Sequence, residues 1–288
     1  MVRRVAFGAL ALSVAACSLF TDFGGFTDPP AATDDASDKP TSDAEAGEDV
    51  SSPEADVPNA DAGAHADASA PDGCIPNANT VCESFDLSTS VPMNWVPVVS
   101  RGEVPIIPRA DAPSAPNVLR ASINASPNDP AFAQLLRTFP VTPTEVATLE
   151  HDLFIDEIGT AYANLSSLDL RLEDGTLYSL QLSHQFGEAF IEEYSKVGDA
   201  QAHSYITQRT SLITLGKWHR IVISVRKTIP RSYSLTIDGA LFLTQPIKDE
   251  APPEALTAGK IRVALGISYQ GQGPAIKTFI DNVKLTWK

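Results

Sequence analysis

Leu168-Asp169-Leu170-Arg171-Leu172-Glu173-Asp174-Gly175-Thr176-Leu177-Tyr178-Ser179-Leu180-Gln181-Leu182-Ser183 is the stretch that decides the fold. Leucines alternate with polar residues on both sides of Asp174-Gly175. Period two is the repeat of a strand with one buried face. Asp-Gly between two such runs signals a hairpin, because both residues tolerate the left-handed backbone of a tight turn. The stretch predicts antiparallel neighbouring strands over 165–173 and 176–186. Leu168, Leu170, Leu172, Leu180 and Leu182 then point into a core, and Asp169, Arg171, Gln181 and Ser183 point away from it.

The same alternation recurs outward from this pair. It is found at Ile221, Ile223 and Val225, at Tyr233, Leu235 and Ile237, and at Ile261, Val263, Leu265 and Ile267. Asp238-Gly239 is a second hairpin signal. Outside the first residues no helical period lasts three turns, and Thr144 to Leu149 offers one turn at most. Residues 74–288 are enough for one domain with a substantial core. The expected class is all-β, a two-sheet antiparallel sandwich.

The chain begins differently. Arg3 and Arg4 precede an apolar run, Val5 to Ala15, that is too short to span a bilayer and ends in small residues. This is the layout of a secretory signal peptide. The run closes on Val14-Ala15-Ala16-Cys17, which resembles the lipobox of bacterial lipoproteins. The resemblance implies cleavage before Cys17, a diacylglycerol on its sulfur and acylation of the new N-terminus, and several acyl chains hold a membrane where one does not. Ser18 rather than Asp follows the cysteine, which resembles outer-membrane sorting. Residues 1–16 are thus expected to be a signal peptide. The chain is expected to be exported and lipid-anchored through Cys17, at the outer membrane or cell surface of a Gram-negative bacterium.

The chain has three cysteines, and setting Cys17 aside leaves Cys74 and Cys82. An oxidising compartment makes their disulfide the expected state, pinning the start of the domain. From Thr21 to Gly73 the composition is dominated by Ala, Asp, Ser, Pro, Thr, Glu and Gly, with almost no large apolar residue after Phe26. Residues 21–73 hold 14 acids and one base, Lys39, or −13 of the chain's −15. Such a segment lacks the apolar area to offset its ordering entropy, so 17–73 reads as a disordered, extended tether. The acidity belongs to the tether, and residues 74–288 carry only −4. No basic stripe interleaved with aromatics exists, which argues against nucleic acid as a partner.

Five motifs follow one another in the domain. They are Cys82-Glu83-Ser84-Phe85-Asp86, then Trp95, then Gly216-Lys217-Trp218-His219-Arg220-Ile221-Val222, then Ser234-Leu235-Thr236-Ile237-Asp238-Gly239, and finally Phe279-Ile280-Asp281-Asn282-Val283-Lys284-Leu285. Their order resembles the concanavalin A-like lectin/glucanase superfamily, in particular the laminin G-like jelly-roll domains of bacterial surface lipoproteins, over residues 80–288. The resemblance implies two packed sheets with the first and last strands adjacent. It does not fix function, because lectins, glycosidases and adhesion modules share the fold.

The glucanase branch carries three acids at alternate positions of one strand. Glu150 and Asp152 share a strand face here, but Phe154 or Ile155 stands where the third acid belongs. They are the only catalytic candidates, and the expectation leans away from an enzyme. His151 falls on the apolar face and reads as a core histidine, and His219 as a packed or edge residue. Trp95, Trp218 and Trp287 read as packing residues. No other catalytic motif occurs. The away-facing Asp169, Arg171, Gln181 and Ser183, with Phe190 or Tyr194 as an aromatic plate, form a candidate carbohydrate site. The resemblance also implies Ca²⁺, for which Glu83, Asp86 and Asp281 are the candidate ligands if the first and last strands pair; no other cofactor is expected. The leading reading is a non-catalytic surface lipoprotein that binds carbohydrate or another surface polymer. The alternatives are a structural or adhesive protein-interaction module, and a glycoside hydrolase or lyase.

Overall fold

The computed structural model describes residues 74–125, 130–141, 145–160, 162–198, 202–248, 251–256, 259–269 and 273–288. The expected signal peptide, Cys17 and the acidic tether lie outside the described residues. In chain order the strands are β1 (Thr80–Glu83), β2 (Val96–Ser100), β3 (Gly102–Glu103), β4 (Ile106–Pro108), β5 (Asn117–Ile123), β6 (Ala131–Pro140), β7 (Val146–Glu157) and β8 (Ala163–Arg171). They continue as β9 (Leu177–Gln185), β10 (Glu188–Lys196), β11 (His203–Ile206), β12 (Trp218–Arg226), β13 (Ser232–Ile237), β14 (Ala240–Pro246), β15 (Lys260–Tyr269) and β16 (Ile276–Trp287). The single helical element among the described residues is one turn, Pro253–Leu256.

The strands form two antiparallel sheets of nine and seven strands. The nine-stranded sheet runs β14-β13-β12-β7-β16-β5-β3, with β1 on β16 and β4 on β5; the seven-stranded sheet runs β11-β10-β9-β8-β15-β6-β2. The fold is a concanavalin A-like β-sandwich. The first and last strands pair as expected, with Cys82 opposite Lys284. Cys74 and Cys82 are bonded, their Cα atoms 6.2 Å apart.

One apolar cluster fills the space between the sheets. Leu168, Leu170, Leu180 and Leu182 are buried in it, and Leu172 packs against it half-buried. Trp95 packs near Phe85 and Trp287 near Phe139, both within the core. The expected turn at Asp174-Gly175 is wider than two residues. Strand pairing stops at Arg171 and Leu177, and residues 172–176 close a loop in which Asp174 Oδ1 accepts the Thr176 N–H at 2.8 Å. The single turn of helix allowed at Thr144–Leu149 is not formed from Val146 onward. Val146 to Leu149 open β7 instead, because Ala147 and Leu149 are drawn into the core at alternate positions.

Candidate active site on the outward face of the seven-stranded sheet

Register, not chain distance, decides which polar residues of β8, β9 and β10 meet. Asp169 lies opposite Ser179 and Ser179 opposite Tyr194. Gln181 lies between Ser167 and Glu192. Ser183 lies between Asn164 and Phe190. Successive rows are two residues apart along the strands, about 7 Å. All of these side chains share the face that turns away from the core, as the alternation predicts for every one but Asn164.

The rows differ in chemistry. Asp169 is closed off: it is 2% exposed, accepts the Ser179 hydroxyl at 2.6 Å and pairs with Arg262 Nη2 at 2.6 Å. A carboxylate so committed has little left for a ligand. Arg171 does not bracket a hydroxyl with Gln181. Arg171 stands opposite Leu177 and Gln181 opposite Ser167, four residues along β8, or about 13 Å. Phe190 is fully buried beneath Tyr162, whose ring centroid is 6.0 Å away, and the Arg209 guanidinium, 4.5 Å over its ring. It is the floor of the site and not its aromatic plate.

The third row and its flank form an uncharged network. Asn164 donates from Nδ2 to Gln181 Oε1 at 2.5 Å, and the Ser183 hydroxyl donates to Asn164 Oδ1 at 2.7 Å. The Tyr162 hydroxyl lies 3.4 Å from Ser183 Oγ. Gln181 spends its carbonyl on Asn164, which leaves its Nε2 donors without a protein partner among the described residues. Arg209 donates to Gln185 O at 3.3 Å and to Gln185 Oε1 at 2.9 Å. It has no carboxylate partner among the described residues. Beside Gln181, Glu192 is buried, and burial pushes its carboxyl above the ordinary range although Ser204 donates to it; its Oε2 has no partner. A buried acid opposite an amide with spare donors is a group that can exchange a proton next to a bound anion.

Tyr162, Asn164 and Arg209 escaped the sequence assignment. A bulge between Asn164 and Ser166 shifts the alternation, putting Asn164 on the outward face and Leu165 in the core. Tyr162 and Arg209 come from connections that no strand period could place.

The other expected sites lie on the nine-stranded sheet. Arg220 of β12 occupies both Glu150, through Nη2, and Asp152, through Nη1 at 3.2 Å; Asp152 also accepts the Asn282 amide at 2.8 Å. A guanidinium across the pair commits both carboxylates to an ion pair and leaves little of either for a substrate. His219 is buried and bridges two segments, with Nδ1 2.8 Å from Asp238 Oδ2 and Nε2 accepting the Thr214 N–H at 3.0 Å. His151 points into the core as expected, but neither ring nitrogen has a protein partner, and desolvation depresses its pKa to about 3.

Of the three calcium candidates, only two come together. Asp281 is fully buried, accepts the N–H and hydroxyl of Ser114, each at 2.8 Å, and is pushed up to about 6 by burial, with the Asp86 charge adding to the shift. Both Asp86 carboxylate oxygens are buried without a partner, as is Asn282 Oδ1. Glu83 is turned elsewhere, accepting the Phe85 N–H at 3.3 Å, with Trp95 and Arg137 beside it. The orphaned oxygens of Asp86 fit a hard cation, but among the described residues no group of three metal-ligating side chains forms.

No family model and no curated protein matches the chain. Solved structures do. The endo-β-1,4-glucuronan lyase of the fungus Trichoderma reesei superposes over 71% of this chain and 94% of its own, with TM-score 0.52 and 11% identity. A family 7 alginate lyase bound to its product aligns over 64% of this chain and 83% of its own, with TM-score 0.47 and 11% identity. A Pseudomonas aeruginosa alginate lyase aligns over 64% and 86%, with TM-score 0.41 and 13% identity. At 11% identity the likeness to the glucuronan lyase shows the fold alone, a concanavalin A-like sandwich.

Proposed function

We propose that the domain acts on an acidic polysaccharide laid across the outward face of β8–β10 and cleaves it by β-elimination. The observation that carries the reading is the buried acid Glu192 opposite Gln181, whose Nε2 donors have no protein partner among the described residues, with the Arg209 guanidinium, free of any carboxylate partner among them, further along the same hairpin. The glucuronan lyase fold supplies the analogy for the substrate class.

The chemistry follows from those groups. A uronate carboxylate that accepts from Gln181 Nε2 loses part of its charge, which acidifies the proton on the adjoining carbon, while Arg209 offers a cation to the carboxylate of a ring further along the chain. Glu192 takes that proton. The electron pair forms the C4–C5 double bond, the C4–O bond breaks, and the departing oxygen takes a proton from the Tyr162 hydroxyl or from solvent. No water is added across the bond, which separates this reaction from glycoside hydrolysis. A bound Ca²⁺ held by Asp86 and Asp281 would act in structure, tying the β1 segment to β16, and takes no part in the elimination.

The N-terminal sequence supports an exported, lipid-anchored setting. In this reading Cys17 carries the lipid, residues 17–73 are the tether, and the domain meets polymer at the outer membrane or cell surface. Incubating the purified chain with glucuronan and with alginate, and following the ultraviolet absorbance of the unsaturated uronate, tests the activity. Absorbance that grows with time supports it. Binding without absorbance returns the domain to the non-catalytic carbohydrate-binding reading. That second reading has one observation in its favour: His184, the histidine carried by β9, is buried with an unpartnered Nδ1 and lies off the outward face.

A further inference from the structure

The turn between β9 and β10 is Phe186-Gly187, with Gln185 paired to Glu188 across it. Both turn residues are left-handed, at φ 54° and 82°. That is the backbone of the tight hairpin turn that favours Asn-Gly or Asp-Gly. The same turn at Asp238-Gly239, at φ 51° and 79°, uses Asp, whose short polar side chain tolerates the conformation. Phe186 has no such excuse, since a bulky residue at positive φ is strained.

Burial can offset such strain. Phe85 also has positive φ, 63°, but it is 1% exposed and packs in the core. Phe186 is 67% exposed and has no aromatic partner among the described residues. Backbone and solvation therefore both favour a different residue at this position. Strain held without a structural return points toward function. The position is also specific: the residue before it, Gln185, holds Arg209 through its carbonyl and its side chain.

We propose that Phe186 is the aromatic plate of the site, stacking on the C–H face of a pyranose at the end of the bound chain. This rests on the polysaccharide reading above and extends it beyond the sheet to the hairpin tip. An exposed ring offers a sugar its apolar face at small conformational cost. Arg209 beside it takes a carboxylate, so the ring bound here is a uronate. Phe186 positions substrate and takes no part in proton transfer.

The test uses the purified full chain and glucuronan oligosaccharides of defined length, with calorimetric titration and thermal unfolding run on each variant. Phe186→Asn relaxes the turn, so its melting temperature should equal or exceed that of the wild type. Its affinity should fall about 3- to 10-fold, the worth of one stacking contact. Phe186→Trp should keep the affinity and show a tryptophan emission change that saturates with oligosaccharide. Unchanged affinity in Phe186→Asn, while Gln181→Ala loses binding, overturns the plate and leaves the polysaccharide reading standing. A large drop in melting temperature for Phe186→Asn also overturns it, because the ring would then be a packing residue. A wild-type chain that binds no oligosaccharide overturns both.

Discussion

At the scale of single residues, environment separates groups that look alike in the sequence. Asp169, Glu150, Asp152 and Glu192 are all strand acids, yet the first three are held by arginines. Glu192 differs from these three: it is buried, burial raises its pKa, and its Oε2 has no partner among the described residues, features it shares with the core-facing Glu193. Glu192→Gln should leave oligosaccharide affinity within a few-fold and reduce elimination by at least about 100-fold, the ordinary worth of a proton-transfer group. Equal turnover by the variant would remove Glu192 from the reaction. His151 gives a pH prediction. Its folded pKa is depressed to about 3 from 6.5. Above pH 6.5 both folded and unfolded states hold a neutral ring. Below it only the unfolded state takes the proton, so stability falls as pH drops through the window from 6.5 toward 3. Relative to wild type, His151→Leu should therefore gain about 2 kcal/mol between pH 7 and pH 5. Chemical denaturation at both pH values measures this, and a constant difference between the two proteins contradicts it. The sequence placed His151 on the core face correctly. It did not reveal that the ring would lack a partner, because partners come from other strands.

At the scale of elements, alternation was legible and its interruptions were not. Leu168, Leu170, Leu180 and Leu182 entered the core as period two requires. The bulge near Asn164 reversed the phase at the end of β8, and so the neutral network went unseen. Arg171 and Gln181 share a face, as read, but register keeps them apart. Pairing of the first and last strands was implied by family resemblance, and it brings Asp86 and Asp281 together while Glu83 serves the backbone of its own strand end. Adding Ca²⁺ should raise the melting temperature of the wild type and leave Asp86→Asn unmoved; equal shifts in both would rule out a seat at Asp86. The Cys74–Cys82 bridge closes a short loop. Replacing both cysteines by serine should cost about 2–3 kcal/mol in denaturant unfolding, and no loss would mean that the segment before β1 adds nothing to stability.

At the scale of the whole molecule, two different kinds of sequence serve two purposes. Residues 21–73 carry −13 of the chain's charge, while the domain after them is close to neutral for its size. If Cys17 is the anchor, Cys17→Ser moves the protein from the membrane fraction to the soluble one, and retention of the variant at the membrane contradicts the lipid. The sequence left function open among carbohydrate binding, an interaction module and a glycoside hydrolase or lyase, because one fold serves many chemistries. The proposed site rests on the outward face, where the buried Glu192 lies opposite the spare Gln181 donors, whereas Glu150 and Asp152 of the nine-stranded sheet are already paired with Arg220. The central claim is that the polymer lies on β8–β10. Hydrogen exchange of the full chain, with and without saturating glucuronan oligosaccharide, tests it most directly. The account predicts new protection at residues 162–167, 181–192 and 209, with none at Glu150, Asp152 or Arg220; protection confined to the nine-stranded sheet, or none anywhere, would contradict it.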